Sequence, residues 1–131
     1  MAEGTWGATT IEETSTGIFK ISKSFVASST DGTIPAWPIT DDTEIENFHG
    51  VLTGVEFVAG TTAPNGLICT LKTPDGQNLP DFPAAALSAS GWIRGMDYPP
   101  LSIAGGLSGT FVQTAVATNS ATGTIILYGI R

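Results

Sequence analysis

The strongest pattern in the chain is alternation. Over "GIFKISKSFVAS", residues 17–28, Phe19, Ile21 and Phe25 alternate with Lys20, Ser22 and Ser24. That period of two predicts a strand with one buried face, and it puts Lys23 on the apolar side near a sheet edge. "HGVLTGVEFVAG", residues 49–60, predicts a second strand with Val51, Val55 and Phe57 on one face. "LICTLK", residues 67–72, predicts a third, with Leu67, Cys69 and Leu71 aligned. Near the C-terminus "GTFVQTAVAT" and "TIILYGI" flank "NSATG" and read as a closing β-hairpin.

Turn signals separate these runs. Asp31-Gly32, Pro64-Asn65-Gly66 and Asp75-Gly76 are short-range turn formers, and Pro35 and Pro38 argue against a central strand around Trp37. "GWIRGMDY", residues 91–98, reads as a short strand stopped by Pro99-Pro100. "DFPAAALSAS", residues 81–90, fits either a short helix capped by Asp81 or an extended loop. Residues 1–16 are small and polar apart from Met1, Trp6 and Ile11, and read either as an N-terminal arm anchored by Trp6 or as a first edge strand. The expectation is an all-β protein, an antiparallel β-sandwich (jelly-roll-like) or small β-barrel over 17–131, with an extended N-terminal arm over 1–16.

Composition sharpens this picture. With 131 residues the chain has the length of one domain and room for a core without staples. Charged residues make up 13%, about half the usual globular level, while 16 Gly and 8 Pro supply corners. The net charge of −7 sits wholly in residues 1–56; residues 57–131 are neutral. An acidic chain without a basic stripe is a poor nucleic-acid ligand. A weakly charged half suits packing against other protein, since interface cores are depleted in charge. No apolar run reaches a membrane span and "MAEGTWGATT" has no secretion-signal pattern, so neither a membrane nor export is expected.

Chemistry finds little purchase. His49 is the one histidine, and no nucleophile stands near it in sequence. "GGLSGT" does not match a nucleophile elbow. Cys69, on an apolar strand face, reads as a small buried hydrophobe. Asp41, Asp42, Glu44 and Glu46 form an acidic run that, if extended, puts three carboxylates on one face for calcium; a solvated acidic loop is the simpler reading. No cofactor or metal motif is present. Trp37, Trp92 and Tyr98 offer an alternative function, a stacking platform for a carbohydrate or other ligand, against the commoner fate of core packing.

The run "GVLTGVEFVAGTTAPNGLICTLKTPDGQNL", followed by an Ala/Ser/Gly stretch and "PPLSIAGGLSGTFVQTAVATNSATGTIILYGI", resembles small β-sandwich virion proteins of tailed bacteriophages, the head decoration or capsid cement class. The resemblance covers residues 50–131 and lies in strand order and turn chemistry. It implies a non-enzymatic structural protein made in the host cytoplasm and carried on the capsid surface. Its partners would be the major capsid protein and its own copies, as a homotrimer, and no catalytic residue transfers. A tail or neck component carries the same signature. Trp6, Ile11, Trp37, Trp92 and Tyr98 are the expected contact residues.

Overall fold

The structure, a computed structural model, describes residues 4–7, 10–36, 50–73, 77–79, 87–95, 97, 99–103, 108–113 and 117–130. Among these residues the chain is all-β and contains no helix. The strands are β1 (Thr5–Trp6), β2 (Thr10–Glu13), β3 (Ile18–Val26), β4 (Gly50–Ala59), β5 (Leu67–Lys72), β6 (Gly91–Arg94), β7 (Leu101–Ile103), β8 (Ser108–Gln113) and β9 (Thr122–Ile130). The larger sheet has β9 at its centre, with β3 on one side and β4 on the other. β1 and β2 lie end to end along the free edge of β3, and β7 and β6 along the far edge of β4. β5 and β8 form a smaller sheet. Every pairing is antiparallel.

The two sheets share one core, as a β-sandwich does. Phe19, Ile21 and Phe25 of β3, Leu52, Val55 and Phe57 of β4, and Ile125 and Leu127 of β9 meet Leu67, Cys69, Leu71 and Phe111 of the smaller sheet. The alternation in β3 is thus obeyed, and Lys23 does face the core side, buried opposite Ile125. It sits where the edge passes from β1 to β2, beside Gly7, whose N–H bonds the Ser24 carbonyl. β5 keeps Leu67, Cys69 and Leu71 inside.

Two expectations need correction. Period two from Val51 would put Val51 with Val55 and Phe57, but Leu52 is the buried residue and Val51 faces outward. The reason is a bulge. Pairing with β9 passes from Leu52 opposite Gly129 to Gly54 opposite Tyr128, so Thr53 is an extra residue that shifts the phase. The second concerns the closing hairpin. β8 pairs with β5 and β9 pairs with β3 and β4, so the two segments belong to different sheets. A local turn was the simplest partner choice for adjacent strands, and tertiary packing overrode it.

The crossing between the sheets is fastened by Gln113. Its Nε2 donates to the carbonyls of Gly32 (2.8 Å) and Thr118 (3.1 Å). Its Oε1 accepts from the backbone N–H of Asn65 (2.7 Å) and of Thr118 (2.9 Å). One side chain therefore ties the 28–33 turn, the 62–66 turn and the 117–120 segment that leads into β9. Gly32 holds a positive φ of 73° in that turn, which aims its carbonyl at Gln113 without the cost a side chain would incur. The turn expected at Asp75-Gly76 and residues 81–86 lie outside the described residues, while residues 87–90 are not helical: Leu87 bridges to Leu67, Ser88 Oγ accepts the Gly66 N–H and Ser90 Oγ accepts the Ala59 N–H. A strand does form in the 91–98 stretch, but it covers only Gly91–Arg94 and ends before the prolines.

Gln113→Leu keeps the volume of the side chain and removes all four bonds, leaving partly buried backbone groups unpaired. We expect a loss of about 2 kcal/mol, read as a lowered urea midpoint with unchanged slope. An unaltered midpoint would show that water replaces the amide fully.

Candidate interaction surface

Trp6 does not hang free. β1 pairs Trp6 with Phe25, and the indole stands edge-on to Phe25 at 5.4 Å and to Phe111 at 4.9 Å. Its Nε1–H donates to the Pro35 carbonyl at 2.6 Å. The ring therefore bridges both sheets at the edge of the core. β2, which carries Ile11, is exposed at all four positions and lies opposite residues 19–22 of β3. The segment read as an arm thus lies along β3 wherever it is described. Trp37 and Tyr98 lie outside the described residues, as do His49 and the Asp41, Asp42, Glu44 and Glu46 run. Among the described residues no three His, Cys, Asp or Glu side chains gather closely enough to hold a metal. Cys69 is buried, and desolvation pushes its thiol far up from the usual range, so it stays protonated and inert.

Trp92 sits where sheet geometry makes it available. Strand pairing lays out the outer face of the larger sheet as rows. One row runs Ile18, Ile130, Val51; the next, Glu12, Lys20, Tyr128, Gly54; the next, Ser22, Ile126, Glu56, Trp92; and beyond it Ser24, Thr124, Val58. Trp92 is 45% exposed. Its ring lies 5.6 Å from that of Tyr128, tilted by 48°. Gly54, the residue opposite Tyr128 on the strand between them, has no side chain to separate the two rings. The Tyr128 hydroxyl donates to Glu56 Oε1 at 2.8 Å. Partial burial raises the Tyr128 pKa first, followed by that hydrogen bond and the negative charges of Glu56 and Glu12.

Tyr128 and Glu56 escape the sequence reading because each is simply the polar phase of a strand. Their meeting depends on β4 pairing with β9 across 72 positions of chain. A separate depression of about 150 Å³ between the 31–34 turn and β8 is half the size of the smallest usual small-molecule pocket. A larger, open depression of about 380 Å³ lies where β2, β3 and β9 adjoin, lined by Glu12, Glu13, Ile18, Lys20 and Tyr128 among others.

Comparison with protein-family models, with curated proteins and with solved structures gives no match to this chain.

Two outcomes follow from this geometry. Trp6→Ala removes an edge-on partner of two core rings and a buried hydrogen bond; we expect about 3 kcal/mol of lost stability, seen as a lower thermal midpoint. Loss below half a kilocalorie would mean that β1 detaches without consequence. For Tyr128 the pKa is raised in the fold, so its stabilisation is complete below the ordinary value of 10.0 and is lost as pH climbs through the folded value. The stability of Tyr128→Phe should therefore fall less than that of the wild type on going above pH 10, in paired urea titrations.

Proposed function

We propose that the protein is a non-enzymatic structural subunit that works by assembling with other protein, and that it is a decoration or cement component of a phage virion. The observation that carries the assembly part is the run of large apolar side chains left in solvent on both outer faces. Ile18 (53%), Ile130 (46%), Val26 (45%), Trp92 and Val58 lie on the outer phase of the larger sheet, and Val112 (57%) on the smaller. Single exposed aliphatics are ordinary, but here Ile18 and Ile130 are direct cross-strand neighbours beside Val51, so that one row is continuously apolar. A chain with only 13% charged residues has little polar surface with which to interrupt such a patch. The virion part rests on the sequence resemblance over 50–131. Its partners are then the major capsid protein and its own copies, as a homotrimer on the capsid surface.

Light scattering on a sizing column tests this directly. A trimer of the 13.5 kDa chain is expected, and Ile18→Glu with Ile130→Glu should dissociate it while leaving the strand content intact. A monomer at every concentration would overturn self-assembly through this face.

A further inference from the structure

We infer that Trp92, Tyr128 and Glu56 form a docking site for an arginine-bearing segment of a partner protein. This deepens the assembly reading above and rests on it, because it supplies that assembly with a contact of defined chemistry.

Three features converge on a cation. The first is the aromatic pair. An exposed indole beside a tilted phenol offers the π-face that a guanidinium stacks on, and Trp is the strongest such face. The second is the position of the carboxylate. Glu56 is the cross-strand partner of Trp92, and its carboxylate holds the hydroxyl of the Tyr128 ring that lies 5.6 Å from the indole. Tyr128 engages Oε1 and fixes the carboxylate, which leaves Oε2 to accept the in-plane N–H of a group lying on the indole. Face on the ring and edge on the acid is an arrangement that suits arginine better than lysine, whose ammonium is a point charge.

The third feature is charge. Lys20, on the neighbouring row, stands in register with Glu12, and Arg94, the cation on the same strand as Trp92, is fully buried opposite Val55, so Glu56 is the charged residue in register with Trp92 on the outer face. The phenol of Tyr128 registers the result, since the charges of both Glu56 and Glu12 hold its proton on. The net charge of −7 on the chain favours the approach of a basic partner segment. A neutral saccharide would use the ring but gain nothing from this field.

The probe is an end-blocked peptide of alternating glycine and arginine, compared with its citrulline counterpart, which has the same shape and no charge. Titrated into the whole protein, the arginine peptide should change tryptophan fluorescence saturably. Glu56→Gln should weaken it about fivefold, and about 0.5 M salt should weaken it further. In Trp92→Phe the signal should vanish. Circular dichroism of each variant verifies the fold. The inference is overturned if citrulline binds as tightly as arginine, if Glu56→Gln binds unchanged, if no saturable change occurs, or if maltotriose alone gives the response and the face is a sugar platform. Light scattering on the same samples separates the two claims: an intact trimer with no peptide binding overturns only the docking site, whereas a monomer that binds the peptide overturns only self-assembly.

Discussion

The structure depends on β9 having a complete partner on each side. All nine of its residues pair with β3, and its ladder with β4 runs from Ala59 opposite Gly123 to Val51 opposite Ile130. A central strand of this kind cannot be frayed without opening both ladders, so residues 122–130 are among the most constrained of those described. Gly123 and Gly129 show how close the fit is. A Cβ at Gly123 would collide with the Phe57 and Phe25 rings, and one at Gly129 with the Phe19 ring and the Val51 carbonyl. The aromatic rings of β3 and β4 lie across the bare backbone of β9, and the large inward residues alternate with room made for them. The hydroxyl contact of Ser24 with Thr124 joins residues 100 apart, so little of this sheet can form from local contacts.

That non-local character explains what was legible in the sequence. Strand existence was readable wherever one face is buried and the other wet, as in β3 and β5, because the period of two is imposed by the pleat itself. The phase of β4 was not, since a bulge at Thr53 costs one residue and leaves no compositional mark. Partner choice was least legible. "NSATG" has turn chemistry, and Ser120 does take a positive φ of 56°, yet the turn serves a change of sheet. Gln113 is the residue that decides this, and in sequence it is one polar position among several. The candidate surface was half visible: Trp92 could be named, but Tyr128 and Glu56 acquire meaning only when β4, β6 and β9 are placed side by side.

Sparse charge and exposed apolar rows have a common cause in this architecture. Among the described glycines, Gly32 and Gly66 serve turns and Gly54, Gly123 and Gly129 serve close packing within β4 and β9, while β-branched residues fill the pleat, which leaves few positions for lysine or glutamate. Those that remain are grouped. Glu12, Lys20 and Glu56 lie close together on one face, while the row of Ile18, Ile130 and Val51 has no charge at all. An outer face divided in this way presents a specific polar cluster beside a non-specific apolar one. The first gives orientation to an encounter and the second gives it area.

The N-terminal strands bear on how such a face is kept from indiscriminate pairing. β3 would offer an open edge along its whole length if β1 and β2 did not cover it, and an open edge is a template for any extended chain. The cover is short and, at β2, fully exposed, so edge pairing alone would hold it weakly. Trp6 changes that balance. By inserting between Phe25 and Phe111 and bonding the Pro35 carbonyl, it ties the edge to both sheets, so releasing the cover means disturbing the core. The long edge of β3 is thereby covered for as long as the sandwich is packed, and what faces outward on that side is the shorter edge of β1 and β2. Association through the outer rows draws its specificity from side chains, which backbone pairing at a short edge does not supply.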